Sequence, residues 1–109
     1  MMKQKTINIL LEMGMPANIK GFSYITDAMI LFNDDMKFYH GKTMDLYNKI
    51  AEKNDTTSSR VERAIRHAFT TVLTKGDSQV VYKYLPQNNT TNSNLLHVLY
   101  LNLMNSEEE

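Results

Sequence analysis

Hydrophobic residues recur every three or four positions along most of this chain, and that spacing places them on one face of a helix. Phe22, Ile25, Met29 and Phe32 show it most clearly, with Ala28 and Leu31 widening the stripe, and predict a helix from about Lys20 to Asn33. Ile7, Leu10 and Leu11 predict another over residues 3–13, and Gly14 suits the left-handed position that ends it. Met15-Pro16-Ala17-Asn18 is a break between the two. Asp34-Asp35 closes the second helix and can cap a short one through Met36, Phe38 and Tyr39, before Gly41 interrupts. Thr43 is placed to cap a helix Met44–Lys53 that turns Met44, Leu46, Tyr47, Ile50 and Ala51 inward.

Asn54-Asp55-Thr56-Thr57 is turn and cap chemistry. Thr57 or Ser58 is the expected N-cap of the next helix, with Glu62 as a capping-box acid. Val61, Ala64, Ile65, Ala68, Phe69 and Val72 form its inward stripe, and Arg60, Glu62, Arg63, Arg66 and His67 fall on the other faces. Gly76-Asp77 ends it. Residues 78–85 suit either helix or strand, because Val80, Val81, Tyr82 and Tyr84 favour strand by propensity. A polar loop, Pro86 to Asn92, precedes a last helix Ser93–Met104 that buries Leu95, Leu96, Leu99 and Leu103, with Val98 beside them; the tail beyond Asn105 is expected to fray. Six helical segments, no convincing strand and no internal repeat predict an all-α fold. A chain of 109 residues suits a single domain over 1–109.

Composition narrows the chemistry. A hydrophobic fraction of 42% is that of a globular chain. With no cysteine there is neither a disulfide framework nor a thiolate zinc site. His40, His67 and His97 are scattered without ligand spacing, so no metal and no cofactor is expected. No catalytic constellation is visible: no Ser-His-Asp or Cys-His arrangement, no glycine-rich phosphate loop, no paired carboxylates. An enzyme is therefore not expected. The apolar runs are too short to span a bilayer and there is no signal peptide, so no membrane partner is expected and the cytoplasm is the default location. The eight methionines sit mainly at apolar helix positions and are expected to fill the core. His40 and His97 are expected at the surface or its boundary, and Tyr82, Tyr84 and Tyr100 half-buried.

Twelve basic and twelve acidic residues cancel, which weighs mildly against nucleic-acid binding. Their distribution weighs for it. Arg60, Arg63, Arg66 and Lys75 face only Glu62 within their own segment, while acids gather elsewhere at Asp27, Asp34, Asp35 and Glu107-Glu108-Glu109.

A short helix, a four-residue polar turn and a helix opening with arginines is the layout of a helix-turn-helix, over about 43–75. In that layout the second helix, here about 58–74, is the one expected to enter the major groove. Thr57, Ser58 and Ser59 suit phosphate, alongside free amides at a positive helix end. Arg60 and Arg63 can each grip guanine O6 and N7 as a fork, and Glu62 can accept from cytosine N4 or hold an arginine. Arg66 and His67 suit flanking phosphates. The same letters also make a good solvated amphipathic helix, with Glu62 and Arg66 as an i,i+4 pair.

The residues resemble a family. Ser59-Arg60-Val61-Glu62-Arg63-Ala64-Ile65-Arg66-His67-Ala68 is similar to the recognition helix in the C-terminal DNA-binding domain of the sporulation regulator stage zero sporulation protein A. Gly14-Met15-Pro16-Ala17-Asn18-Ile19-Lys20-Gly21-Phe22 resembles its G-x-P-A-x-I-K-G-aromatic motif. Ile50-Ala51-Glu52-Lys53 resembles the end of its scaffold helix, and Thr91-Asn92-Ser93 the opening of its last helix. The likeness spans about residues 7–104.

It implies a compact six-helix bundle containing a helix-turn-helix, with 78–85 helical against their propensity. It implies a double-stranded-DNA partner bound as tandem head-to-tail copies on a short box, and contact with the sigma subunit of RNA polymerase. By position it assigns Arg60, Glu62 and Arg63 to bases, and Thr57, Ser58, Ser59, Arg66 and His67 to the DNA backbone. Family members carry a receiver domain for which this chain has no room, so it is either an excised effector domain or a stand-alone paralogue. Its Met1-Met2-Lys3 start and its divergence after Gly76 favour the paralogue. Residues 36–41 also depart from the family. The competing expectation is a protein-interaction module that pairs with a full-length relative or with polymerase without tight DNA binding.

Overall fold

The computed structural model describes residues 1–106 as seven helices: α1 (Met2–Met13), α2 (Lys20–Asp34), α3 (Met36–His40), α4 (Thr43–Lys53), α5 (Ser58–Lys75), α6 (Ser78–Tyr84) and α7 (Asn92–Asn105). Among the described residues there is no strand. The all-α bundle is as expected; the short α3 was among the six expected segments, and α6, where helix and strand were both open, makes the seventh. The expected fraying and the acidic cluster at 107–109 lie outside the described residues.

The helix boundaries follow local chemistry. Gly14 ends α1 at φ 92°, a backbone region that disfavours any residue with a Cβ, and its N–H reaches the Leu11 carbonyl at 3.0 Å. Asp35 caps α3 by accepting from the Lys37 amide at 3.1 Å. Asp77 caps α6 in the same way, accepting from the Gln79 amide at 3.1 Å. That cap, with Val81 and Leu85 buried, settles residues 78–84 as helix despite their strand propensity. A strand there would leave its backbone groups without a ladder partner.

Helix α2 is the spine of the core, packing against α1, α3, α4, α5 and α7, and its most extensive contact is with α5. Ile25, Ala28, Met29 and Phe32 are fully buried on one side of it, as are Val61, Ile65 and Ala68 on α5. The two backbones meet at Gly21. A Cβ placed there would stand 2.3 Å from the Ala64 carbonyl oxygen and 2.6 Å from the Ala68 Cβ, so only glycine permits this approach. The glycine in the 14–22 segment and the alanines of the 59–68 segment are thus two sides of one contact.

Several side chains depart from the sequence expectations. Met44 is 51% exposed, because the inward row of α4 runs through Thr43, Leu46, Tyr47 and Ile50, and Met44 lies about 100° from Thr43. Thr43 is the first helical residue rather than the cap; its hydroxyl donates to Ser93 Oγ at 3.0 Å. Leu11 is also exposed, one step off the buried Leu10, and Ala64 is only half-buried. Tyr100 is buried and Tyr82 exposed, so of the three tyrosines only Tyr84 is half-buried. His97 sits at the boundary as expected, with its two ring nitrogens each 2.7 Å from a carbonyl oxygen, of Ser93 and of Tyr39.

Candidate nucleic-acid interface

α4, the turn 54–57 and α5 form the helix-turn-helix, and the turn is tightly held. The Asn54 amide donates to the Ile50 and Ala51 carbonyls at 3.1 and 3.2 Å, and the Thr56 amide reaches back to Ala51 at 3.0 Å. Between them Asp55 adopts φ 52°, a left-handed conformation that Asp and Asn tolerate better than most residues. The Asn54 side chain donates to Ile50 at 2.8 Å and to Asp27 Oδ2 at 3.0 Å. Lys53 Nζ donates to Asp27 Oδ1 at 3.3 Å, and the Asp27 side chain is only 14% exposed. Asp27 therefore clamps the turn from α2, a role that its place among the scattered acids did not suggest.

α5 begins at Ser58 with Thr57 as N-cap, its hydroxyl accepting from the Arg60 amide at 3.2 Å. The capping-box position is consequently Arg60, and the expectation that Glu62 folds back onto the cap is overturned. Glu62 instead accepts a short hydrogen bond from Arg66 Nη2, one turn further on. With the pair this exposed, it adds a few tenths of a kcal/mol at most. By helix geometry the amides of Ser58 and Ser59 have no partner inside the helix, so they remain available at its positive end.

At 100° per residue, the direction opposite the buried Val61, Ile65, Ala68 and Val72 falls on Arg63. Arg60 and His67 lie to one side of this crest, Ser59 and Arg66 to the other. All five are exposed. Thr57 is exposed at the lip of the turn, and Ser58 and Glu62 are half-buried at the margins. Among the described residues no ion pair engages Arg60 or Arg63. The sequence-predicted set therefore comes together on the outer side of one helix, with two guanidinium groups free to make forked contacts and one held by Glu62.

The floor beneath this surface is polar and comes from α4 and α7. Thr91 caps α7 by accepting from the Asn94 amide at 3.3 Å. Asn92 is buried, and its Nδ2 donates to the Glu62 backbone carbonyl at 3.0 Å. The phenol of Tyr47 on α4 lies beside the Asn92 side chain. Burial pushes the Tyr47 phenol above its ordinary value of 10.0, and the Glu62 carboxylate adds to the rise; the neighbouring Asn92 amide and Arg66 act against it. Ser93 receives Thr43. The Thr-Asn-Ser triplet thus ties the start of α7 to both helices of the helix-turn-helix. The triplet was visible in the sequence; its partners, 30 and 50 residues away, were not.

Among the described residues no helix is long and apolar enough to cross a membrane. Comparison with known families matches residues 6–103 to the family described as "Sporulation initiation factor Spo0A C terminal". The match takes in α5, the turn, the Gly21 contact and the Thr-Asn-Ser floor, and the family is one of DNA-binding regulatory domains rather than enzymes. The chain belongs to the Spo0A C-terminal family of DNA-binding domains that serve transcription regulation in sporulation.

Proposed function

We propose that residues 1–109 act as a single sequence-specific effector domain that binds double-stranded DNA through α5 in the major groove. Arg60 and Arg63 read guanine edges, and Glu62 orients Arg66 or accepts from cytosine. Thr57, Ser58, Ser59, Arg66 and His67 hold the phosphates on either side. The observation that carries this proposal is the outward row Arg60–Arg63–His67 opposite a fully buried stripe, with both base-reading guanidinium groups unengaged. Phosphate contacts position such a helix and base contacts specify the site, and the surface offers both kinds of group. Family membership extends the proposal to tandem head-to-tail copies on DNA and to contact with the sigma subunit of RNA polymerase.

A fluorescence-anisotropy titration tests it, with a duplex carrying two tandem copies of the family's box against a scrambled duplex. The expected result is a clear preference for the box, with log K falling as log salt rises, at about 0.9 per phosphate neutralised. Arg66→Ala should flatten that slope by about one phosphate on both duplexes. Equal, weak affinity for both duplexes would refute sequence-specific reading.

A further inference from the structure

We infer that Asn92 is a positioning residue for base reading, setting the rotation of α5 through the Glu62 carbonyl. The inference rests on the DNA-binding role just proposed and assigns a part of it to a residue that touches no DNA. Three observations support it. Asn92 is only 8% exposed, so its amide is committed to protein partners. Its Nδ2 donates at 3.0 Å to a carbonyl that lies between the two base-reading arginines in sequence. Beside it lies Tyr47, which is buried on the scaffold helix of the same helix-turn-helix. One side chain therefore ties the first turns of α5 to the start of α7, beside the buried face of α4.

The buried stripe Val61, Ile65, Ala68 and Val72 sets which side of α5 faces inward, and the Asn92 bond refines that rotation at the first two turns. Gly21 fixes how closely α2 and α5 approach, and Thr57 fixes where the helix begins. Neither grips the flank of the first two turns. A rotation of about 10° about the axis moves a group about 6 Å away by about 1 Å, and groups on longer side chains by more. A guanidinium fork on guanine O6 and N7 tolerates little of that, whereas a cation near a phosphate tolerates it readily. Loss of the Asn92 bond should therefore reduce specificity and leave non-specific affinity intact.

The test measures anisotropy of the full chain on the tandem-box and scrambled duplexes, with thermal melts of each variant. Asn92→Ala is expected to lower the box-to-scrambled ratio about tenfold, with scrambled affinity and its salt slope unchanged. Ser93→Ala removes the neighbouring tie to Thr43 but spares the Glu62 bond, and should leave the ratio within twofold of wild type. Tyr47→Phe removes the hydroxyl beside the Asn92 amide, and should lower the ratio about threefold; it decides the matter if Asn92→Ala does not melt cooperatively. An unchanged ratio in folded Asn92→Ala, or in Tyr47→Phe where that variant decides, overturns the inference, as does an equal drop in Ser93→Ala. Arg63→Ala separates the two levels. If it too leaves the ratio unchanged, base reading by α5 is wrong; if it alone lowers the ratio, only the role of Asn92 is wrong.

Discussion

Gly21→Ala offers a sharp test of the packing that holds α5, because two opposing effects have known sizes. Inside a helix, alanine is favoured over glycine by about 1 kcal/mol. At Gly21 the added Cβ would stand 2.3 Å from the Ala64 oxygen and 2.6 Å from the Ala68 Cβ. Non-bonded contacts are comfortable near 3.5 Å, so α2 and α5 must separate by about 1 Å or tilt. The obstructing atom is backbone, and no rotamer change relieves it. Overpacking of this kind costs about 1–3 kcal/mol, and a backbone clash belongs at the upper end. The expected net loss is about 2 kcal/mol, or roughly a 10 °C fall in Tm for a domain of this size. Urea unfolding followed by far-ultraviolet circular dichroism measures it, with an unchanged m-value showing that the denatured state is not the cause. Adding Ala68→Gly should recover only a part, since the Ala64 carbonyl remains in the way. A Gly21→Ala chain as stable as wild type would refute the close-approach account.

Three further outcomes follow from the turn and its surroundings. Asp55 holds φ 52°, so Asp55→Val should cost about 1–2 kcal/mol in urea unfolding while Asp55→Gly is neutral or better. Thr57→Ala removes the cap on the Arg60 amide and should destabilise by about 0.5–2 kcal/mol, checked by the same unfolding curves. The raised Tyr47 phenol predicts a pH effect: its contribution to stability is complete below pH 10.0, and is lost as pH rises from there through the higher folded-state value. Melts between pH 8 and 11 should therefore decline less steeply in Tyr47→Phe than in wild type, and parallel curves would remove this group from the alkaline limb.

The elements were legible because apolar spacing, turn residues and caps agreed along most of the chain. Phe22 to Phe32 marked α2, Gly14 marked the end of α1, and the row 61–72 fixed which side of α5 faces inward, and so which residues face out. What failed was set by contacts distant in sequence. Residues 78–85 had strand propensity, and only an all-helical surrounding with an Asp77 cap resolves them. Met44 has the hydrophobicity of an inward residue, but the rotation of α4 puts Thr43 on the inward row and Met44 one step outside it. Glu62 lies two residues beyond the capping-box position at Arg60, and its carboxylate turns to Arg66. The partners of Asp27 and Asn92 carried no local signal, since they lie about 27 and 30 positions away. The outward residues of the site could be read from one helix, and the polar groups beneath it could not.

Replacement of the guanines in a bound tandem-box duplex by 7-deazaguanine tests the central claim most directly. That change removes the N7 acceptor from the major groove and leaves Watson–Crick pairing in place. Loss of a guanidinium fork should cost about 1–3 kcal/mol, or roughly five- to 150-fold in affinity. The loss should be absent in the Arg60→Ala, Arg63→Ala double variant, which has no fork to lose. Full affinity of the wild-type chain for the 7-deazaguanine duplex would contradict major-groove reading by α5.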